Sequence, residues 1–484
     1  MTNGWKKAGL IGIGTVLGAL LTLNFSAIAQ RESRLPIPYE DLQLLSAVFG
    51  KIKSDYVEPV SDEKLIREAI NGMVHGLDPH SDFLDAEAFK ELQVSTQGKF
   101  GGLGIEVGIE DGVVRVVSPI EDTPAYRAGI RSGDLIVKID ETATRGMPLN
   151  KAVELMRGKP GTPITLTVVR KDTDGLLTFP LVREEINVKS VRAKMLEPGY
   201  GYVRIRNFQE RTGEDLAKAL REFYKQGDLK GLVLDVRSDP GGLLNQAVAV
   251  SAAFLPKDAL VVYTDGRTPD ARMRLTASRD NYQRRGEDWL RDLPAAVKKV
   301  PMVVLVDSGT ASASEIVAGA LQDHKRAIVM GAQTFGKGSV QTILPIGANA
   351  GLKLTTARYY TPSGRSIQAK GIEPDIAIDD GRDTGNRIRE ANLEHHLETR
   401  GGAAGTTGTS PSGANAPAST TPAPVKPAAK PAVSAPPLPR FEFGSGDDFQ
   451  LKQAMNHLKG EPIVASIRSV AAANSVPATV APAK

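Results

Sequence analysis

A short apolar run followed by a turn and a helix pattern constrains the fold of this chain more than any other feature. Residues 302–306 are all apolar, as expected for a strand that is covered on both faces of a sheet. Residues 314–323 have apolar side chains at helical spacing, and residues 327–330 form a second strand pattern. This order predicts a mixed α/β domain, with Ser312 on the turn and Lys337 in the loop after the second strand.

Ser312 is a candidate nucleophile, and Lys337 is a candidate base for it. A turn between a strand and a helix exposes the serine hydroxyl, and it brings the backbone N–H of Ala313 to a helix N-terminus, where orphan amides can stabilise an oxyanion. A serine without a usable histidine needs another base, and a lysine can serve if desolvation lowers its pKa to roughly 7–8. The pair therefore predicts nucleophilic catalysis.

The spacing of these residues resembles that of the carboxy-terminal processing (tail-specific) serine peptidases, which use a Ser-Lys dyad. Lys337 follows Ser312 by 25 residues, and Gln341 follows it by 29. The resemblance implies that Ser312 is the nucleophile, that Lys337 is the base and that Gln341 orients the lysine. A glutamine would hold the amine without adding a negative charge, whereas an acid would raise the lysine pKa again.

A glycine-rich turn upstream resembles the D-x-R-x-N-P-G-G element of the same family. The resemblance implies that the amide of Gly241 contributes to an oxyanion hole, with the amide of Ala313 as the second donor. Asp239 stands where the family has asparagine. Both residue types tolerate the same turn geometry, but a negative charge that pointed toward the oxyanion would oppose catalysis.

Two other interpretations of this region remain open. Ser308, Ser312 and Ser314 all precede the helix pattern, and a serine in such a position is more often an N-cap than a nucleophile. The residues from Gly331 to Lys337 also match most of the phosphate-binding loop pattern GxxxxGK[ST]. That pattern fails at the next residue, and β-forming residues follow where such a loop would open a helix.

Residues 98–185 resemble a PDZ domain, with a glycine-rich start and several short strand patterns separated by polar turns. The strand that starts at Ile105 would pair with an incoming peptide. Arg170 could assist anion capture, tie the module to the active site or be a solvated surface charge. Without the rest of the module, the glycines would indicate only a tight turn. The resemblance implies that a terminal carboxylate is held by the backbone N–H groups of Gly102, Leu103 and Gly104.

Composition excludes several classes of protein. The 484 residues are enough for two or three hydrophobic cores, and a net charge of +4 is too small and dispersed to indicate nucleic-acid binding. The chain has no cysteine, so it has neither a disulfide framework nor a thiol nucleophile. Its six histidines show no metal-ligand spacing, and we expect neither a metal nor a cofactor.

The amino-terminal residues are typical of an export signal. A positively charged start precedes an apolar stretch from Ala8 to Phe25 and an A-x-A ending at Ala29. Cleavage after Ala29 is favoured. An uncleaved anchor is the alternative, because the apolar stretch approaches the ~20 residues that span a bilayer. Both interpretations place the body of the protein in the periplasm or on the outer face of the cytoplasmic membrane.

These patterns predict the boundaries of seven parts of the chain. A Pro-, Ala-, Gly- and Thr-rich composition predicts a disordered linker before a helix pattern near the end of the chain. The parts are a signal peptide or anchor (1–29), a helical arm (30–95), a PDZ domain (98–185), a Ser-Lys peptidase core (186–380), a disordered linker (381–440), a C-terminal helix (441–460) and a disordered tail (461–484).

The sequence therefore predicts a mixed α/β peptidase core with a PDZ domain before it. We expect an exported serine endopeptidase that captures unstructured carboxyl tails of proteins or peptides and cleaves near them. The helical arm is expected to support a homodimer or a higher homo-oligomer, and an adaptor protein is a further candidate partner. The alternative is a catalytically silent PDZ scaffold that binds C-terminal peptides.

Overall fold

The computed structural model describes residues 38–467, apart from 121, 172, 174, 284, 348–349, 382–387 and 400–441. The predicted signal or anchor, most of the predicted linker and the chain beyond residue 467 lie outside the described residues. The chain divides into two compact units, one ending at Gly72 and the other starting at Met73. Among the described residues, no helix is long and apolar enough to cross a membrane.

The first unit contains helix α1 (Tyr39–Asp55) and most of helix α2 (Asp62–His75). Acidic residues occupy the first turn of each helix, where they complement the helix dipole. Large apolar side chains of this unit, among them Leu44 and Val57, are exposed. The dimer contact expected of this arm stays a prediction.

The PDZ module lies in the second unit, and a strand at its start pairs with a strand at its end. Strand β2 (Lys99–Gly102) pairs with strand β9 (Glu184–Asn187). Helices α4 (Pro124–Arg127) and α5 (Leu149–Met156) accompany an antiparallel sheet, and α5 buries Ala152 and Met156 in its core. The strands run in the order β3 (Ile105–Glu110), β4 (Val113–Pro119), β5 (Leu135–Ile139), β7 (Pro163–Val169) and β8 (Leu176–Val182), with β6 (Thr142–Ala143) beside β5.

A six-stranded sheet forms the centre of the peptidase core. It has the order β10-β11-β12-β15-β16-β19, in which β10 is antiparallel to β11 and the remaining neighbours are parallel. The strands are β10 (Val191–Glu197), β11 (Tyr200–Ile205), β12 (Gly231–Asp235), β15 (Met302–Val306), β16 (Ile328–Gly331) and β19 (Ile376–Ala377). The helices that accompany it are α6 (Thr212–Lys225), α7 (Leu244–Phe254), α9 (Ala313–Asp323) and α10 (Phe449–Lys459).

The central strands are apolar along their whole length because both faces of the sheet are covered. Leu232 and Val304 pack with α6, α7 and α9 in one core cluster. The intervening residues Val233 and Val303 pack against α10 in a second cluster. Strands buried on both faces read as continuous hydrophobic runs, which is why β15 could be located from the sequence.

A second sheet brings the Lys337 loop to the carboxyl end of the first. Strand β17 starts two residues after Lys337 and forms a hairpin with β18, which also pairs with β1 and β13. Helix α3 (Ala86–Gln97) follows β1, and α8 (Arg279–Tyr282) follows β14. The strands are β1 (Asp82–Leu84), β13 (Leu260–Gly266), β14 (Arg274–Thr276), β17 (Ser339–Ile346) and β18 (Ala350–Tyr360).

The C-terminal helix docks on the core through both apolar and charged contacts. Arg237, which is 0% exposed, forms ion pairs with Asp235 at 2.7 Å and with Asp448 at 2.6 Å. The ring of Phe443 lies 4.6 Å from the Arg237 guanidinium. Because an unpaired buried charge is costly, these contacts tie the segment before α10 to the end of β12.

The structure differs from the predicted start of the linker at residue 381. Residues 388–399 are described, and they include a short 3-10 helix, Glu390–Asn392. Glu390 is 0% exposed and contacts His80 at 2.7 Å. This polar segment has no apolar periodicity, so its burial depends on partners that are distant in the sequence.

Candidate active site

Ser312 lies at the N-terminus of α9, directly after the turn that follows β15. Its φ of 57° is unfavourable for a residue with a Cβ atom, and such strain persists only where surrounding contacts impose it. Here the backbone N–H of Ser312 donates to the Glu315 carboxylate at 2.8 Å. Ser314, one of the alternative N-caps, donates its hydroxyl to the Asp239 carbonyl at 3.1 Å.

Glu315 connects the Ser312 turn to the Lys337 loop. It is 0% exposed, and besides the Ser312 amide it accepts the backbone N–H of Lys337 at 2.9 Å and that of Gly336 at 2.8 Å. Burial raises the pKa of Glu315 to about 7 against the lowering effect of these donors. The sequence alone predicts no catalytic role for Glu315, although serine followed three positions later by glutamate is a capping-box signature.

The Lys337 side chain is buried in a way that favours a neutral amine. Burial is the main cause that lowers its pKa to about 8, and the positive charge of Lys353 acts in the same direction. Glu390, Glu315 and Asp78 oppose this shift. A lysine with a pKa near neutrality can accept a proton, which is the property that the sequence analysis required.

A strand, β17, follows Lys337, so the loop does not open a helix as a phosphate-binding loop does. The Tyr359 hydroxyl donates to the carbonyl of Lys337 and fixes this loop from the side of β18. Burial is the main cause that raises the pKa of Tyr359, and this phenol is not a candidate base.

Gln341 is held by hydroxyl groups. Its Nε2 donates to Ser339 Oγ at 3.0 Å and to Thr355 Oγ1 at 3.2 Å, and Thr355 in turn donates to Asp78 Oδ1 at 2.9 Å. Ser81 Oγ donates to Asp78 at 2.6 Å. Asp78 and Ser81, which belong to a turn before β1, thus also orient the Gln341 amide. With Nε2 engaged, Oε1 is the atom of Gln341 that can accept from an amine.

Gly241 lies against Ser312 at a position that only glycine fits. Its φ is 97°, and a Cβ atom there would stand 2.8 Å from both the Ala313 nitrogen and the Ser312 Cβ. The Gly241 N–H, which we expect to bind an oxyanion, donates to Asp239 Oδ1 at 2.8 Å. The oxyanion donor and Asp239 are therefore in direct contact.

Asp239 is the most isolated acid of this region. It is 0% exposed, and its Oδ2 atom has no hydrogen-bond partner among the described residues. Burial raises the pKa of Asp239 to about 8, while the Gly241 N–H acts to lower it. The carboxyl group is therefore mostly neutral at pH 7, which removes the charge conflict that the sequence suggested.

A cleft of about 1850 Å³ contains Ser312, Lys337, Gln341 and Gly241. It also follows β17, whose only strand partner among the described residues is β18. The free edge of a strand can pair with an extended peptide. Apolar side chains supply much of the lining of this cleft, namely Leu243, Leu244, Met273, Leu275, Tyr282, Trp289, Val340 and Ile343.

The structure places the predicted carboxylate-binding residues at the start of the PDZ module. Gly102 ends β2 and pairs with Glu184, whereas Leu103 and Gly104 form the link to β3. Gly104 has a φ of 74°, and a Cβ atom there would stand 2.3 Å from the Thr123 side chain. Ile105 begins β3, which is the edge strand of its sheet.

Arg170, unlike the other predicted peptide-binding residues, forms an ion pair within the PDZ module. Its guanidinium pairs with Asp134 through two hydrogen bonds of 2.8 Å and donates to the Gly129 carbonyl at 2.9 Å. The charge that anion capture would need is thus used inside the module. This arrangement ties the end of β7 to the turn before β5 and indicates a structural role for Arg170.

Family models match three parts of the chain. A model described as Peptidase family S41 matches residues 199–378, and a PDZ domain model matches residues 115–170. The N-terminal domain of the activating protease CtpB matches residues 22–88. These matches define a peptidase core joined to a PDZ domain, in agreement with the fold.

Similar proteins narrow this class. The chain is 49% identical over 369 residues to a carboxy-terminal-processing protease of Bartonella bacilliformis, and the match covers 75% of this chain and 81% of that protein. It is 38% identical to the carboxy-terminal processing protease CtpB of Bacillus subtilis, over 69% of this chain and 67% of the relative. A solved structure, the photosystem II D1 C-terminal processing protease, is 31% identical with a TM-score of 0.40, and the match covers 69% of this chain and 86% of that one. The chain belongs to the family of carboxy-terminal-processing proteases.

Proposed function

We propose that this protein is an exported serine endopeptidase in which Ser312 attacks the scissile carbonyl and Lys337 is the general base. The observation that carries the proposal is the Glu315 carboxylate, which binds the backbone N–H groups of Ser312 and Lys337 at 2.8 and 2.9 Å. A buried acceptor shared by the two backbone segments holds them in a fixed relation. Fixed geometry is what proton transfer between two side chains requires.

The reaction begins when the neutral Lys337 amine accepts the proton of the Ser312 hydroxyl. Gln341 Oε1 orients the amine while the Ser312 oxygen bonds to the scissile carbonyl carbon. The peptide C–N bond then breaks, the leaving amine takes the proton from the Lys337 ammonium group, and an acyl-enzyme remains. Water, activated by the neutral Lys337 amine, hydrolyses the acyl-enzyme and restores the Ser312 hydroxyl. The amides of Gly241 and Ala313 stabilise the oxyanion. The intermediate must compete with Asp239 for the Gly241 N–H. A neutral carboxyl group is a weaker acceptor than a carboxylate and yields this donor more easily.

The PDZ module supplies substrate selection in this proposal. The link at Leu103 and Gly104 binds a terminal carboxylate, and the edge strand β3 pairs with the tail that precedes it. The substrates are proteins or peptides with unstructured carboxyl termini. The amino-terminal sequence supports export. The parts of the chain are those predicted from the sequence, except that residues 388–399 pack on the peptidase core.

The test is cleavage of an unfolded casein by the purified protein and by Ser312→Ala and Lys337→Ala. We expect both variants to lose at least about 10³-fold in turnover while circular dichroism shows an unchanged fold. Lys325→Ala is the matched control, because Lys325 is an exposed lysine after α9 and should leave turnover unchanged. Full activity of Ser312→Ala would refute the nucleophile. Tail binding without turnover in the unmodified protein would favour the scaffold.

A further inference from the structure

Residues 388–399 lie against the loop that carries Lys337, although the sequence places them in a polar stretch after the core. Arg389 donates from its guanidinium to Gln333 Oε1 at 2.8 Å and to the Thr334 carbonyl at 2.9 Å. A third hydrogen bond of 2.9 Å reaches the carbonyl of Lys370. One side chain therefore fixes the start of the loop to the segment that packs beside it.

Glu390 continues this contact toward Lys337. Its backbone N–H donates to the Phe335 carbonyl at 3.2 Å. Its carboxylate accepts from Gln368 Nε2 at 2.8 Å, and Gln368 Oε1 accepts the backbone N–H of Gly338 at 2.9 Å. His80 Nε2 lies 2.7 Å from the other carboxylate oxygen. The loop is thus held on both sides of Lys337.

We propose that residues 388–399 clamp the loop that carries the base, and that Glu390 is a positioning residue that tunes the basicity of the Lys337 amine. The inference rests on the proposed function of Lys337. Glu390 is fully buried, so its negative charge is poorly screened by water. Such a charge stabilises the ammonium form of Lys337 and so raises the pH at which the amine becomes neutral.

Several charged groups surround Lys337 and Glu390. Lys353 on β18 favours the neutral amine of Lys337, whereas Glu315 on α9 and Asp78 act with Glu390 to favour the charged form. His80 contacts Glu390, the charge of Glu390 acts to raise the pKa of Tyr359, and Arg389 precedes Glu390 in the chain. Of the acids that face Lys337, Glu390 has the largest influence. Removal of its charge should therefore change the protonation of Lys337.

The experiment compares the pH dependence of kcat/KM for the full-length protein, Glu390→Gln and the matched control Glu394→Gln. Glutamine preserves the shape of Glu390 and can still accept from Gln368 Nε2, but it removes the charge and places an NH2 donor where the second oxygen lies against His80 Nε2. We expect the acid limb to move to lower pH by roughly 0.5–1 unit in Glu390→Gln, which raises the rate on that limb about three- to tenfold. Glu394 is exposed on the same segment, and its variant should titrate as the unmodified protein does.

Two further variants separate tuning from structural support. Glu390→Asp retains the charge, so its acid limb should stay in place even if kcat falls. Arg389→Ala should lower kcat about tenfold with little change in KM, because the loop loses two hydrogen bonds and Lys370 loses a third. Arg389→Lys should recover part of that loss. An acid limb that is identical in Glu390→Gln and Glu394→Gln would overturn the tuning. An unchanged kcat in Arg389→Ala would overturn the clamp.

A measurement without catalysis keeps this inference separate from the proposed function. In a Ser312→Ala background, the pH at which the Lys337 amine becomes reactive toward reductive methylation is read by mass spectrometry, with and without Glu390→Gln. A shift to lower pH supports the tuning whether or not Lys337 is the base. If Ser312→Ala itself retains turnover, the proposed function fails, and the labelling result still decides whether Glu390 controls the amine.

Discussion

The buried titratable groups of the cleft and the buried ion pair of the PDZ module have opposite pKa shifts. In the cleft, burial lowers the pKa of Lys337 to about 8 and raises those of Glu315 and Asp239 to about 7 and about 8. In the PDZ module, burial acts to raise the pKa of Asp134, but hydrogen bonds from Arg170 and from the backbone outweigh it and the net pKa is lowered. The pKa of Arg170 is raised by the same pairing.

The direction of the pKa shift distinguishes groups suited to proton transfer from groups suited to a structural contact. Paired charges move away from neutrality and keep one protonation state over the working range of pH, as suits a structural contact. Charges that are buried without an opposite partner move toward neutrality, where both protonation states are accessible. Titratable groups removed from water therefore have different uses according to whether they are paired, and the peptidase core contains both kinds, since Arg237 is paired with Asp235 and Asp448.

The largest expected effect is on stability, and its sign differs between Asp239→Asn and Asp134→Asn. The folded pKa of Asp239 lies above its unfolded value of 3.8, so the stability that this residue contributes is lost as pH rises toward about 8. Relative to Asp239→Asn, the unmodified protein should lose about 1.4 kcal/mol per pH unit in this window, a total on the order of 5 kcal/mol. Urea denaturation across this range measures the difference.

Asp134→Asn should behave in the reverse manner. The folded pKa of Asp134 is lowered, so its contribution is present above the unfolded pKa and disappears as pH falls through the folded value. The variant should be less stable by about 1.5–3 kcal/mol at neutral pH and should match the unmodified protein in strong acid. If both variants give the same dependence on pH, the comparison between the two domains is wrong.

The next largest effect is expected for Gly241→Ala. The added Cβ atom would meet the Ala311 carbonyl at 2.7 Å and the Ser312 Cβ at 2.8 Å. Displacement of the oxyanion donor should lower kcat by about 10²–10³-fold. Gly161→Ala in the PDZ module is the control, because Gly161 has a φ of 87° and open space around it. Equal loss of activity in the two variants would show that strain alone is responsible.

A smaller effect is expected for Gly104→Ala in the PDZ link. The Cβ atom would collide with Thr123, so the link should shift and bind carboxylates less well. KM for a protein with a free carboxyl tail should rise about tenfold, whereas cleavage of a short amidated peptide should not change. Gly112→Ala has a similar φ of 75° with open space and serves as the control. A change with the amidated peptide would contradict a role confined to tails.

The smallest expected effect is that of Lys353→Gln. Its positive charge lowers the pKa of Lys337, so removal should move the acid limb of kcat/KM to higher pH. A shift of a few tenths of a unit corresponds to about a twofold loss on that limb. The pH profile of Lys325→Gln, an exposed lysine, should be unchanged. A shift toward lower pH would reverse the electrostatic description of the cleft.

Elements of the fold could be predicted where local pattern determines them. Strand β15 has the predicted bounds because five consecutive apolar residues are buried on both faces. The C-terminal helix could be predicted from its apolar face, and the structure shows that this face packs against the core. By contrast, the fold of residues 388–399 depends on hydrogen bonds to His80 and Gln368, which no periodicity of their own sequence reveals.

Sequence reasoning found the chemical groups of the site but not what positions them. Ser312, Lys337 and Gln341 stand out by type and spacing. The hydrogen bonds of Gln341 involve Thr355 and, through it, Asp78, which is more than 250 residues away in the chain. Isolated burial also escapes sequence patterns, since Asp239 differs from other acids only in having an oxygen without a partner.

The ion pair of Arg237 and Asp448 also joins two parts of the chain that are synthesised at different times. Asp448 follows Arg237 by 211 residues, so the turn after β12 that carries the cation is synthesised long before this acid. Until the last part of the chain has emerged, one face of the central sheet lacks α10, and Arg237 has Asp235 but not Asp448 as a partner. A chain that ends before Asp448 would therefore leave Val233 and Val303 without the helix that covers them and Arg237 without its second acid.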